Sequence, residues 1–230
     1  MKKITKITLA AFAFLMTSFA TFAQNKVSIV GGIHSANISA SGLNVDFLDI
    51  QTIYRFTGGI TYERKLDKLL SFQTGIIYKQ KGFQLKETTN VDIFNMALPV
   101  GVKVTSELNT IDVPLMLKVG FENKTGVTPY LAAGPNLSYA MSGEIQTRAT
   151  AIFDFVLTNV ELDLSSENYN RLGIEGMIAG GVSFPYGNGE FKTEINYSHA
   201  LNNFTSNSFI VDTGLRNRGI GFNVGYSMKF

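Results

Sequence analysis

The last twelve residues restrict the fold more than any other part of the chain. Ile220, Phe222, Val224, Tyr226, Met228 and Phe230 alternate with Gly219, Gly221, Asn223, Gly225, Ser227 and Lys229, so one face is large and apolar and the other small or polar. A helix does not hold a period of two over such a length, and a strand buried on both faces has no polar side. After the first 23 residues no apolar run approaches the ~20 residues that a membrane-crossing helix needs. Such a chain can enter a bilayer only as strands, and only as a closed barrel, because hydrocarbon offers no partner to an edge N–H or C=O.

The same alternation recurs. Ile111, Val113, Leu115, Leu117, Val119 and Phe121 alternate with Asp112, Pro114, Met116, Lys118, Gly120 and Glu122; Phe191, Thr193, Ile195 and Tyr197 alternate with Lys192, Glu194, Asn196 and Ser198. Eight segments read this way, at about 26–39, 55–66, 70–83, 108–122, 127–142, 172–185, 190–201 and 218–230. Most reach the ~10 residues of a tilted membrane strand. The connections alternate between short and long. Asp67-Lys68, Asn123-Lys124-Thr125-Gly126 and Gly187-Asn188-Gly189 have the composition of tight turns, whereas 40–54, 84–107, 143–171 and 202–217 are long stretches expected to be loops. With an even strand count this puts both termini on the short-turn side, the arrangement of outer-membrane barrels. The expected fold is all-β: an antiparallel up-and-down transmembrane β-barrel of about eight strands. Aromatic residues gather near the strand ends, with Tyr62, Phe72, Phe121, Tyr130, Phe184, Tyr186, Phe191 and Phe230 on the turn side. Tyr78, Phe83, Tyr139, Tyr169 and Tyr197 lie towards the loops, so two interfacial girdles are expected.

The N-terminus reads as a leader. Lys2, Lys3 and Lys6 precede the apolar stretch Leu9 to Ala20, and Thr21-Phe22-Ala23 supplies small residues at the minus-three and minus-one positions before Gln24. Residues 1–23 are therefore expected to be a secretory signal peptide and 24–230 the barrel. Without those three lysines the 20 basic residues fall into near balance with the 18 acidic ones, so the whole-chain charge gives no reason to expect a nucleic-acid partner. The chain has no Cys, which excludes disulfides, thiol nucleophiles and thiolate metal sites.

On these phases the inward face collects Glu63, Lys79, Lys81, Asp112, Lys118, Glu122, Glu175, Lys192, Glu194 and Lys229, together with His34. Both charge signs are present, and an eight-strand barrel is only just wide enough for its own side chains. A side-chain-filled lumen is expected rather than a diffusion pore. His199 is expected to point outward near the loop-side interface. His34 and His199 are the only histidines and lack the spacing of a ligand set, so no metal site is expected. Ser198, His199, Ser206, Ser208 and Asp212 are the only grouping that resembles a nucleophile with a base, and it is incomplete; no catalytic or cofactor-binding residue is assigned. The apolar residues Phe153, Phe155, Leu157, Val160, Leu162 and Leu164 make the 143–171 stretch the best candidate for meeting a partner.

Three stretches resemble the PorT-like outer-membrane β-barrel family: Ile111-Asp112-Val113-Pro114-Leu115-Met116-Leu117-Lys118 followed by Pro129-Tyr130-Leu131-Ala132-Ala133-Gly134-Pro135; Gly176-Met177-Ile178-Ala179-Gly180-Gly181-Val182; and Asn223, Gly225, Met228 and Phe230 at the C-terminus. The ending resembles the terminal-strand signal read by barrel-assembly machinery. The resemblance implies an outer-membrane barrel whose motif residues are structural. The expected partners are outer-membrane lipid, that machinery and an extracellular ligand or protein. The expected role is structural or binding, with a secretion accessory or narrow channel, an outer-rim hydrolase, and a soluble lipocalin-type barrel as alternatives.

Overall fold

The computed structural model describes residues 25–41, 50–93, 96–121, 123–150, 154–164, 170–202 and 214–230. The expected leader, Glu122, Phe153, Tyr169, Ser206, Ser208 and Asp212 lie outside them. Ten strands occur among the described residues: β1 (Asn25–Ser41), β2 (Ile50–Gln51), β3 (Ile53–Lys65), β4 (Leu70–Ile93), β5 (Met96–Gly120), β6 (Thr128–Thr150), β7 (Asp154–Glu161), β8 (Leu172–Tyr186), β9 (Gly189–Ala200) and β10 (Gly214–Lys229). Eight of them close a ring. Each of β1, β3, β4, β5, β6, β8, β9 and β10 pairs antiparallel with the next, and β10 returns to β1 from Lys26↔Lys229 to Ser41↔Gly214. The short β2 and β7 add to β4 and β6 beyond the ring.

Three tight turns share one end with Asn25, the first described residue, and Phe230. Leu66 and Asp67 donate to Leu70 O at 2.8 and 3.0 Å. In the second turn Asn123 Oδ1 accepts from the backbone N–H of Thr125 and Val127 at 3.0 and 2.9 Å, and Gly126 has φ of 80°. Gly187, φ 58°, opens the third. Both glycines lie in the left-handed region that a Cβ disfavours, which is why these short connections carry glycine.

At the turn end each barrel strand begins or stops within a few residues of its expected bound. At the loop end the expectation fails. The stretch 84–107 is not a loop, because β4 and β5 run on as a paired hairpin to Ile93↔Met96. β6 likewise continues to Thr150 and carries β7 on its outer side. Thr105, Thr147, Val102 and Val104 supply the β-branched residues that favour strand there, and the pairing started in the barrel wall is extended cooperatively. A sheet made of the upper parts of β4, β5 and β6 with β7 therefore stands beyond the barrel.

The wall has the expected polarity. Ile29, Ile60, Ile76, Leu131, Ile178 and Ile195 are exposed on the outside, while the polar phase faces inward and is buried. A lipocalin-type barrel needs the reverse, so that alternative is excluded. The small face of β10 makes the polar interior possible. A Cβ at Gly219 would lie 2.4 Å from His34 Cε1, one at Gly221 2.7 Å from Asn196 Oδ1, and one at Gly225 3.1 Å from Lys192 Cε. Glycines on β10 thus leave the volume that long polar side chains of β1 and β9 occupy.

Candidate functional site: an ionic lumen

Two charged clusters fill the barrel. In the loop-side one Asp112 of β5 is the hub. It accepts from Thr110 Oγ1 at 2.8 Å, Ser138 Oγ at 2.7 Å and Asn136 Nδ2 at 2.8 Å, and it faces Lys79 and Lys81 at 3.4 and 3.2 Å. Lys81 also pairs with Glu175 and donates to Ser138 Oγ at 2.9 Å, and Asn136 reaches Glu175 at 3.0 Å. Four strands are tied together by groups that are each at most 5% exposed. Two lysines face two carboxylates, so the cluster is formally neutral. Neutrality and several hydrogen bonds per carboxylate are what offset the cost of removing these charges from water.

In the turn-side cluster Lys118 donates to Glu63 at 2.7 Å and lies 3.8 Å over the ring of Tyr130. The Tyr130 hydroxyl donates to Glu194 at 3.0 Å, and Lys192 donates to Thr61 Oγ1 at 3.1 Å. Again two carboxylates meet two lysines. At the turn-side mouth Glu190 accepts from Lys26 and Lys229, both at 2.8 Å.

Between the clusters Met116, Ala132, Met177 and Ala179 pack into an apolar layer. Beside it is a cavity of about 30 Å³, on whose lining lie His34, Gln73, Lys79, Asp112, Lys192 and Glu194. It has room for water, not for a hydrated ion and its shell. His34 Nδ1 and Gln73 Oε1 are buried there without a hydrogen bond to protein. At the loop end Leu108, Ala140 and Leu164, with Leu162 against them, narrow the mouth. The arrangement can brace the wall and block passage.

Most sequence-derived placements hold. Glu63, Lys79, Lys81, Asp112, Lys118, Glu175, Lys192, Glu194 and His34 are buried in the lumen; Lys229 is at the mouth with its side chain 48% exposed. His199 lies on the outer face beside Tyr197, while its neighbour Ser198 is buried inside, so this adjacent pair is split across the wall. Of the aromatics Phe121, Phe184, Tyr186, Phe191 and Phe230 are exposed near the turn end and Tyr139 and Tyr197 near the loop end. Tyr130 is the exception. It shares the phase of Ala132, Asn136 and Ser138 and is 3% exposed inside, so placing it in a girdle by its nearness to a strand end was wrong. Thr110, Asn136 and Ser138 were missed as network members, although their position in the inward phase was a usable signal. Of the 143–171 stretch, Leu162 and Leu164 turn back to the mouth, whereas Phe155, Val156, Leu157 and Val160 on β7 stay exposed.

Among solved structures the chain is similar to Neisserial surface protein A, at 14% identity over 89% of this chain and 97% of that one, with a TM-score of 0.43. It is similar to OprG from Pseudomonas aeruginosa at 11% identity over 90% and 97%, with a TM-score of 0.46, and to Ail of Yersinia pestis at 11% over 89% and 99%, with a TM-score of 0.34. No curated protein matches the chain. Residues 22–206 match the model of the outer membrane protein beta-barrel domain, which covers most of the chain and agrees with its apolar wall and polar lumen. The chain belongs to the outer membrane protein beta-barrel domain family, and it is a small integral barrel of the outer membrane.

Proposed function

We propose that the protein is a non-conducting, non-catalytic barrel that anchors a binding surface at the outer face of the membrane. The carrying observation is the lumen. Six charged side chains pair within it, Lys192 and Glu194 are hydrogen-bonded to Thr61 and Tyr130, and the space left between the clusters is about 30 Å³. The binding surface is the sheet beyond the barrel, where Val102, Phe155, Val156, Leu157 and Val160 are exposed above a rigid wall. A hydrolase at this rim would need a nucleophile beside its base, and Ser198, the one candidate nucleophile among the described residues, faces the opposite side from His199. We further assign the chain to the PorT-like family on the motifs at 111–118 with 129–135, 176–182 and 223–230, with export directed by residues 1–23 and insertion directed through β10.

Purified protein reconstituted into planar bilayers tests the closed lumen. No stepwise conductance is expected in molar potassium chloride. Discrete openings would replace this reading with a narrow channel.

A further inference from the structure

The outer wall carries a feature that a structural barrel does not need. Facing the hydrocarbon is a groove of about 760 Å³ crossing β5, β6, β8, β9 and β10. Strand register resolves it into two rows. The lower runs Val119↔Leu131↔Gly180↔Ile195, and the upper Leu117↔Ala133↔Ile178↔Tyr197↔Ile220. Gly180 and Ala133 form its floor between larger neighbours. A Cβ added at Gly180 would meet Leu131 Cδ2 at 3.4 Å, so the depression there comes from the missing side chain.

The next row towards the loops is different in kind. It continues Gly176↔His199↔Arg218, so an imidazole and a guanidinium stand side by side one ladder step above Tyr197 and Ile220. That step is about 7 Å along the strand. The Tyr197 hydroxyl lies 3.4 Å from His199 Nδ1 and the two rings stack, which leaves Nε2 to meet a ligand. No carboxylate shares these three rows among the described residues. His199 lies nine residues beyond Glu190 at the turn-side mouth, and ~10 residues of tilted strand cross the hydrocarbon. On β9 and β10 the His199–Arg218 pair is therefore placed near the outer-leaflet headgroups, and the groove below it at the level of their chains.

We infer that this wall holds one phosphate-bearing lipid of the outer leaflet. Its phosphate is bound by Arg218 and His199, and an acyl chain lies in the groove over Ala133 and Gly180. Charge complementarity chooses the headgroup, since a guanidinium matches phosphate oxygens in pairs. Depth in the bilayer chooses the chain, since only hydrocarbon reaches that part of the wall. The inference rests on the outer-membrane placement of the family and not on the closed lumen, so a conductance result does not bear on it.

Native mass spectrometry of the folded full barrel, with dioleoylphosphatidate and dioleoylglycerol as probes, tests it. One dioleoylphosphatidate is expected to remain bound, about tenfold more tightly than dioleoylglycerol, which has the same chains and no phosphate. The double variant His199→Gln/Arg218→Gln is expected to remove that preference. Gly180→Leu, which fills the groove without touching His199 or Arg218, is expected to weaken the lipid about tenfold while the barrel keeps its mobility shift on boiling. Equal retention of the two lipids would overturn the inference. So would displacement of dioleoylphosphatidate by millimolar inorganic phosphate, which would mark an anion site independent of the groove, or unchanged binding in both variants.

Discussion

Asp112 shows how one residue type at one phase can organise a barrel. It is 1% exposed, accepts three hydrogen bonds from neutral groups and faces two lysines. Replacing it by Asn keeps the shape and removes the charge, leaving Lys79 and Lys81 against Glu175 alone. Asp112→Asn is expected to destabilise the folded barrel by about 3–5 kcal/mol, because an uncompensated buried cation remains. The measurement is the urea unfolding midpoint of protein refolded into lipid vesicles, and a shift under about 1 kcal/mol would mean that water already screens the cluster. The inward charges were legible one by one from the period of two. Their partners were not, because the contact between Lys81 and Glu175 spans four strands and depends on the curvature of the wall.

At the element scale the informative case is the β4–β5 hairpin. The alternation in 84–107 is weaker than in the wall, since both faces of a sheet standing in water can be polar, and the segment reads as loop. Pairing carried up from the barrel extends the strands regardless, with Glu87 opposite Val102. If this upper part is an outgrowth and not a support, replacing residues 88–101 by Asn-Gly should leave the wall intact. The expected result is a retained mobility difference between boiled and unboiled samples, with the unfolding midpoint changed by no more than about 1 kcal/mol, the scale of loop-closure differences. Loss of the folded band would show that the extension holds the ring closed. The tight turns were legible because Asn123, Gly126 and Gly187 carry backbone chemistry that few residues tolerate.

For the whole molecule closure and insertion are expected to be separable. Phe230 donates its N–H to Asn25 O at 3.1 Å, and its ring lies 6.5 Å from that of Tyr62, so it contributes little to the wall. Deleting it should leave refolding into detergent unchanged, judged by the boiling-dependent mobility shift. In cells the same deletion should lower the amount in the outer-membrane fraction several-fold, if the terminal strand is read by assembly machinery. Equal losses in both settings would make Phe230 a structural residue only.

The sequence by itself determined the number of wall strands, the turn end, and for most wall residues which side chains face lipid and which face the lumen. All of these follow from a period of two and from local turn chemistry, which need no knowledge of distant residues. Tertiary structure decided the rest: that the inward charges form two neutral clusters around an apolar layer, that Tyr130 belongs to the network, and that three strands continue beyond the membrane. It also decided that Gly180, Ala133, His199 and Arg218 meet on one patch of the outer wall. These depend on register between strands distant in sequence, and register is set by ring closure, which a single segment does not encode.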